Sequence, residues 1–149
     1  MQTRPLTKPD YDQIVSVLDS WWGGPSPVPA HPIFFYELGR LARVVEDEGQ
    51  LVGFLFGFIS PDEPVGYVHL VGIHPEYRRR GVGGMLYSAF EADCRKARCR
   101  ELKAITTSGN EASMRFHEAQ GWTRTAGSGP SGARRGPAPG PGRTPAPRR

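Results

Sequence analysis

The sequence predicts a single α/β domain in which helices flank a mixed central sheet. Three observations lead to this fold class: short strands alternate with helices, one strand is apolar on both faces, and a glycine-rich turn joins a strand to a helix. A strand that is apolar on both faces belongs in the middle of a covered sheet. At 149 residues the chain supplies one domain's worth of core.

The first half of the chain predicts the order strand, helix, helix, strand, strand. A short strand opens the chain at Gln2–Leu6, and a helix then begins near Thr7, which can cap it. Apolar residues at helical spacing give this helix one buried face, and the glycines and prolines that follow end it. A short second helix is predicted over 33–40. Two strands come next, over 42–46 and 51–59, joined by a hairpin over 48–50.

The second half predicts strand, helix, strand, helix. The fourth strand covers 66–73 and leads through the glycine-rich turn into a helix over 81–96. This helix turns an apolar stripe inward at helical spacing. A fifth strand over 101–107 and a last helix over 110–120 follow, and Gly121 ends that helix.

The clearest functional signal is the segment Val71–Leu86, where an apolar strand leads into three arginines and three glycines. Glycine lets backbone N–H groups approach phosphate oxygens without hindrance from a Cβ atom. The helix that follows points its positive end at the same place. The segment therefore predicts a diphosphate-binding loop. The alternative is an ordinary strand-to-helix turn with solvated arginines. The Gly-Lys-Ser/Thr ending of nucleoside-triphosphate loops is missing.

The order of residues in this loop resembles the Arg/Gln-x-x-Gly-x-Gly/Ala signature of the GNAT family of N-acetyltransferases. The resemblance implies the GNAT fold over residues 2 to about 123 and a site for the pyrophosphate of acetyl-coenzyme A. The implied pyrophosphate residues are Arg78, Arg79, Arg80, Gly81, Val82, Gly83 and Gly84. It also implies that the pantetheine arm pairs with the backbone of Val71, Gly72 and Ile73. A backbone N–H there would stabilise the oxyanion of the reaction.

A second segment, Asn110–Trp122, looks like the family's Asn-x-x-Ser/Ala-x-x-Phe-Tyr-x-x-x-Gly-Phe motif. By this resemblance Asn110 would hydrogen-bond near the pantetheine arm, although Asn is also a good helix N-cap and both roles can coexist. Phe116 would pack near the cofactor. His117 replaces the family's tyrosine, which protonates the leaving thiolate. An imidazole with a pKa of about 6.5 can protonate a thiolate whose thiol has a pKa of about 8.5. The alternative is that His117 faces solvent and has no role.

His69 lies on the fourth strand, where many family members carry a glutamate that acts as general base through water. Alternation along a regular strand places Tyr67, His69, Val71 and Ile73 on one face, unless a bulge near Gly72 alters the pattern. Amine acceptors arrive mostly as ammonium, so a base is useful and a neutral imidazole suits this role. The alternative is a half-buried histidine that binds a backbone carbonyl.

Charge and cysteine content exclude several classes of protein. Residues 1–125 hold all fifteen acidic and fourteen of the nineteen basic residues, so the folded part is near neutral. Its composition therefore does not predict nucleic-acid binding by the domain. There is no long apolar run, and no signal or transit pattern follows Met1, so we expect a cytoplasmic protein without a membrane partner. Cys94 and Cys99 match no metal spacing, so we expect reduced thiols and no metal.

Residues 126–149 contain only Gly, Pro, Arg, Ala, Ser and Thr. Such a segment cannot bury enough apolar surface to fold, so we expect a domain over 1–125 and a disordered tail over 126–149. The two strands that end the sheet in the family would then be absent. The tail is either a genuine arm that attracts polyanions or the product of a frameshift in a GC-rich gene.

The resemblance and the residues together predict an N-acetyltransferase that moves an acetyl group from acetyl-CoA to a small-molecule or peptide amine by direct attack. His69 would act as base and His117 as acid. One alternative is a coenzyme A binder whose catalysis is impaired by the missing strands. Another is a protein that binds nucleic acid through its tail. The acceptor stays unidentified, and a homodimer is compatible with the sequence.

Overall fold

A computed structural model describes residues 1–22, 30–105, 111–119, 121–125 and 132–135 of the chain. Seven strands form one sheet in the order β1-β2-β3-β4-β5-β7-β6. Neighbouring strands are antiparallel except β4 and β5, which are parallel. The strands are β1 (Gln2–Pro5), β2 (Arg43–Asp47), β3 (Gln50–Ile59), β4 (Val65–Ile73), β5 (Glu101–Ile105), β6 (Thr123–Thr125) and β7 (Gly132–Arg135). The helices are α1 (Lys8–Trp22), α2 (Ile33–Tyr36), α3 (Val82–Lys96) and α4 (Glu111–Ala119).

The helices cover the two faces of the sheet in pairs. On one face, side chains of α1 such as Ile14 and Leu18 pack against Phe54 and Phe56 of β3. On the other face, α3 packs against the sheet, and Phe116 of α4 joins that contact. β3 is buried without a break over residues 51–57. The prediction of a central strand that is apolar on both faces is therefore confirmed.

The element boundaries follow the predictions closely, with two local differences. The helix predicted over 33–40 is divided into α2 and a separate 3₁₀ turn over Gly39–Leu41. The hairpin between β2 and β3 has only two loop residues, Glu48 and Gly49, with φ of 49° and 80°. Positive φ at both positions is typical of a type I′ turn, whose twist matches the strands.

The carboxylate of Asp10 holds the start of α1. The sequence alone predicted no partner for it. Asp10 accepts hydrogen bonds from the Thr7 N–H at 2.8 Å and the Thr7 hydroxyl at 2.7 Å. Arg4 of β1 donates two more, at 2.7 and 2.9 Å. Burial alone would raise the pKa of Asp10, but the hydrogen bonds from Arg4 and Thr7 outweigh it and lower that pKa. The contact ties α1 to the edge strand of the sheet.

β4 contains a bulge at His69, not near Gly72, where the sequence analysis anticipated one. Phe56 of β3 pairs with Leu70 and Gly57 pairs with Val68, so His69 is the extra residue. As a result Val68 packs on the α3 face, whereas Leu70 packs on the α1 face. The prediction that Tyr67, His69, Val71 and Ile73 share one face is corrected, because an inserted residue reverses the alternation beyond it.

Two short strands close the sheet where the sequence analysis predicted none. β6 has three residues and β7 has four, and β7 pairs with β5 from Leu102↔Arg135 to Ile105↔Gly132. The expectation that the last two strands are absent is therefore corrected. Strand pairing needs only backbone N–H and C=O groups, so a segment without large apolar side chains can still complete an edge. The rest of the tail lies outside the described residues.

Within the described residues, the structure contains no helix with the length and apolar character needed to cross a membrane.

Candidate active site

The glycine-rich loop lies between β4 and α3 and ends in a left-handed residue. Gly81 is the N-cap of α3, with φ of 85°, and Arg79 also has a positive φ of 62°. The first backbone N–H groups of a helix have no partner within it, so those of the first turn of α3 point out of its N-terminal end. The carbonyl of Gly81 accepts from the N–H of Met85 at 3.1 Å, which closes the first turn.

Three residues predicted from separate motifs meet at this end of α3. An ideal Cβ on Gly83 would lie 2.9 Å from Cζ of Phe116 and 3.2 Å from Cδ1 of Ile73. The absence of a side chain at Gly83 therefore lets α4 and β4 approach the helix closely. Around Gly81 and Gly84, by contrast, a Cβ would meet nothing within 4 Å. Open space at these two glycines leaves room for a ligand beside the amides of the first turn.

The three arginines of the loop have different surroundings. Arg78 donates from Nη2 to the backbone carbonyl of Trp21 at 2.7 Å, so it caps the C-terminal end of α1. Arg80 lies over the ring of Tyr77, 4.3 Å from its centroid, and the hydroxyl of Tyr77 donates to Asp47 at 3.0 Å. Arg79 is exposed, and among the described residues its side chain has no hydrogen-bond or ion-pair partner. Of the three loop arginines, Arg79 alone thus has a side chain without a competing contact within the described part of the chain.

One edge of β4 has no strand partner among the described residues beside this loop. Within residues 101–105 of β5, the parallel pairing with β4 runs to Val68↔Ala104, whereas β4 continues to Ile73. The N–H of His74 donates to Val52 of β3 at 2.9 Å. Because backbone groups alternate in direction along a strand, those of Val71 and Ile73 point away from β3, towards the gap. The alternation directs the backbone of Gly72 towards β3.

Gly72 therefore differs from its two neighbours. An ideal Cβ at this position would lie 2.3 Å from Cε1 of Phe54. The residue is buried, and its small size allows the aromatic core of the α1 face to form. Of the three residues predicted to pair with pantetheine, Val71 and Ile73 direct their backbone groups away from β3, whereas Gly72 has a packing role.

His69 is half-buried on the face covered by α1 and α2. Its ring stacks on Phe34 of α2, with centroids 3.7 Å apart and an interplanar angle of 16°. The hydroxyl of Tyr67 lies 3.4 Å from Nδ1 of His69. His69 is the bulge residue of β4. It directly follows Val68, the last residue of β4 that pairs with a described residue of β5. A titratable ring thus lies next to the strand edge that faces the gap.

His117 is buried rather than solvent-facing. Only 4% of its surface is exposed, and its Nε2 lies 2.8 Å from the hydroxyl of Tyr87 on α3. Its ring also meets Trp122 edge-on, with centroids 5.0 Å apart. Burial raises the pKa of Tyr87 well above its usual range. The alternative of a solvent-facing side chain is therefore wrong, and His117 joins α4 to α3.

Two aromatic residues near the site were missed by the sequence analysis. Tyr87 lies one position from the apolar stripe of α3, and Phe34 lies in a short helix without a recognised motif. Helical spacing could have indicated that Tyr87 is buried. No local signal could have placed Phe34 against His69, because that contact joins elements 35 positions apart in the sequence. Asn110 lies outside the described residues.

The cysteines and acidic residues do not form a metal site in the described part of the chain. Cys94 and Cys99 are free thiols. Burial raises the pKa of Cys94 to about 12, so its thiolate is strongly disfavoured. The reduced state predicted for both cysteines agrees with this arrangement.

The fold and the loop define a class of protein: α/β domains that hold a phosphorylated cofactor at a strand-to-helix turn, beside a strand edge that faces a gap. The family comparison is more specific. The chain belongs to the acetyltransferase (GNAT) family, whose model matches residues 11–122. The predicted GNAT-like fold is thereby confirmed.

Two relatives agree with this membership, and a solved structure shares the fold. The chain is 33% identical over 86 residues to a mycothiol acetyltransferase of Thermobispora bispora, covering 54% of this chain and 29% of that protein. It is 30% identical over 78 residues to an acetyltransferase of Sodalis glossinidius, covering 52% and 54%. Both matches thus span well under two thirds of the relative. A Salmonella typhimurium protein solved with its cofactor acetyl-CoA has a TM-score of 0.71 at 18% identity, with coverage of 94% and 95%.

Proposed function

We propose that this chain is an N-acetyltransferase that transfers an acetyl group from acetyl-CoA to a primary amine by direct attack. The observation that carries the proposal is the meeting of Gly83, Ile73 and Phe116 at the N-terminal end of α3. The open glycines, the unpartnered Arg79 and the first-turn amides there suit a phosphorylated cofactor. Family membership supports the same activity.

Each part of the site would make a different contribution. Residues 78–84 would bind the diphosphate, chiefly through the amides of the first turn and the side chain of Arg79. The exposed backbone edge at Val71 and Ile73 would orient the thioester and donate an N–H to the oxygen that becomes negative. Phe116 would contribute an apolar wall. Acetyl-CoA supplies an acetyl group activated as a thioester.

His69 is the proposed base. A primary amine is mostly protonated near neutral pH, and only the neutral amine can attack. A neutral imidazole can remove that proton directly or through one water molecule. Its position at the bulge, where β4 leaves β5, supports this role because it lies beside the strand edge proposed to orient the thioester.

His117 is the proposed acid, and the geometry supports this role less well. Its Nε2 already interacts with the hydroxyl of Tyr87 in the contact between α3 and α4. A proton would have to leave a side chain that also holds the core together. Replacing His117 with Gln tests the two roles separately. A lower melting temperature with an unchanged pH profile of kcat would remove His117 from the chemistry.

The decisive experiment combines thiol release with a thermal shift on the full chain. We expect acetyl-CoA to raise the melting temperature, and thiol release to depend on an added primary amine. Mass spectrometry should then find the amine heavier by one acetyl group. Stabilisation without amine-dependent release would favour the coenzyme A binder over the enzyme. The absence of both effects would contradict the proposed function.

The division into a catalytic domain over 1–125 and a tail over 126–149 is also part of the proposal. β7 lies inside that tail and completes the sheet, so we expect removal of 126–149 to lower the melting temperature. A truncated chain that melts like the full chain would show that β7 contributes no stability.

A further inference from the structure

Three aromatic rings form one cluster with the proposed base on the face covered by α1 and α2. We call them the acceptor-face cluster: Phe34, Phe58, Tyr67 and His69. Phe34 stacks on His69 at 3.7 Å and lies 6.4 Å from Phe58, again nearly parallel. Phe58 meets Tyr67 at 5.1 Å, and Tyr67 lies 5.9 Å from His69. Each ring thus contacts two others.

The cluster is partly accessible. All four side chains are half-buried, so none is sealed within the core and none stands free on the surface. A cavity of about 160 Å³ borders Phe58, at the end of the cluster away from His69. The cavity is lined by Glu37, Leu38, Arg40, Leu41, Phe58 and Ile59. Four of these six residues are apolar, and the two charged ones have opposite signs.

Two charged side chains near Tyr67, Lys103 and Glu63, also have opposite signs. Tyr67 stands opposite Lys103 in the β4–β5 register, and Lys103 already forms an ion pair with Glu63 at 2.7 Å. Burial raises the pKa of Tyr67, so the phenolate form of this half-buried ring is disfavoured. An ammonium group here would lose hydration, so the surroundings favour the neutral amine.

These features distinguish among acceptors. An aromatic or bulky apolar group can stack on the rings and remove them from water. A second ammonium on the acceptor would lose hydration beside these rings, since Glu63 is paired with Lys103 and Glu37 shares its cavity with Arg40. The surface thus selects against polyamines and in favour of amines next to an apolar group.

Building on the proposed function, we infer that the acceptor is a primary amine that carries an aromatic group and no second cation. Phe34 and Phe58 would form the specificity surface, with the amine nitrogen placed next to His69. The class is defined by chemistry alone: an arylalkylamine or a molecule with an aromatic ring close to its amino group.

The test compares two acceptors on the full chain with saturating acetyl-CoA. Phenethylamine carries an aromatic group, and putrescine carries a second ammonium. We expect kcat/KM for phenethylamine to exceed that for putrescine at least about tenfold, as expected when one ring is removed from water. The product is identified by mass spectrometry, so thioester hydrolysis does not count as transfer.

Two adjacent residues of α2 provide a matched pair of variants. Phe34 faces His69, whereas Phe35 stacks on Tyr11 with centroids 5.1 Å apart. We expect Phe34→Leu to reduce the preference for phenethylamine, mainly by raising its KM, and Phe35→Leu to leave the preference unchanged. Phe58→Leu is the second test of the cluster if Phe34→Leu melts too low.

The outcomes separate this inference from the function on which it rests. Preference for putrescine, or equal effects of Phe34→Leu and Phe35→Leu, would overturn the aromatic acceptor and leave the acetyltransferase intact. Absence of transfer to every amine would overturn both. A preference for phenethylamine that Phe34→Leu or Phe58→Leu reduces supports the inference.

Discussion

The two faces of the sheet are built in different ways. On the α3 face, glycines of the sheet accept side chains of the helix: an ideal Cβ on Gly53 would lie 2.5 Å from Val82, and one on Gly57 would lie 2.7 Å from Phe90. On the α1 face, half-buried aromatic rings form the surface around His69. The α3 face depends on backbone closeness, which restricts residue type strongly. The α1 face also has one such glycine, Gly72 beside Phe54, but the surface around His69 depends on side-chain shape, which many sequences can provide.

This difference explains why the cofactor side is recognisable and the acceptor side is not. A turn with positive φ and close approach requires glycine at fixed positions, and these positions make a motif. An aromatic surface assembled from α2, β3 and β4 has no fixed spacing. We therefore expect changes on the α3 face to affect acetyl-CoA binding and changes on the α1 face to affect turnover and acceptor choice.

The largest expected effect comes from the proposed base. His69→Gln should lower kcat by about 10²–10⁴-fold, the usual contribution of a general base, and leave the Kd for acetyl-CoA unchanged. Steady-state kinetics across pH and a binding titration measure the two quantities. His31→Gln is the control, because His31 is exposed and its ring Nδ1 accepts a hydrogen bond from the Ile33 N–H at 3.2 Å. A weaker Kd for His69→Gln would break the division between the faces.

The second prediction concerns two glycines in the first turn of α3. Gly83→Ala should destabilise the fold by about 1–3 kcal/mol, as overpacking does, because its Cβ meets Phe116. Gly84→Ala, where a Cβ meets nothing, should melt no lower than the parent, since alanine favours helix. Denaturant unfolding measures both. Equal stability of the two variants would show that α4 is not held against Gly83.

The third prediction uses acid to probe the α1 face. The pKa of Asp10 is lowered in the fold, so its ion pair with Arg4 stabilises the protein above the unfolded value of about 3.8. The stability should be lost as pH falls further through the folded pKa. Asp10→Asn should cost about 1–3 kcal/mol near neutral pH and show a smaller loss in acid. Unfolding at pH 7 and pH 3 is the measurement. An unchanged acid dependence would remove Asp10 as its source.

The smallest effect separates two neighbouring arginines. Arg79→Ala should weaken acetyl-CoA binding by about tenfold, the value of one charge-assisted contact, without changing the melting temperature. Arg78→Ala should instead lower the melting temperature, because the carbonyl of Trp21 loses its partner. Isothermal titration measures the Kd for acetyl-CoA, and thermal unfolding measures the melting temperature of both variants. Weaker acetyl-CoA binding by Arg78→Ala, together with a lower melting temperature of Arg79→Ala, would instead assign the phosphate contact to Arg78.

Most elements and the cofactor loop could be predicted because their signals are local. Helical spacing located α1 and α3, and the arginine and glycine order located the turn at Gly81. The position of the bulge could not be predicted, since it depends on how Phe56 and Gly57 of β3 pair with β4. The burial of His117 depends on Tyr87, thirty residues earlier. Contacts between distant segments leave no pattern in a short window of sequence.

β7 was missed for a different reason. Composition measures whether a segment can build a core of its own. It does not measure whether the segment can join an edge that already exists. Gly132–Arg135 pairs with β5 through its backbone, so its lack of apolar side chains is compatible with a strand.

The bulge at His69 amounts to one added residue in a strand that would otherwise alternate without interruption. With that residue deleted, Val68 and Leu70 would be adjacent in the chain and still lie on opposite faces. All the β3–β4 pairs would be retained, because His69 has no partner in that register. The fold thus has no need of the residue, and a chain shortened at this codon should still assemble its sheet. Such a deletion would remove the imidazole while preserving the cofactor loop, which makes chain length itself a probe of function.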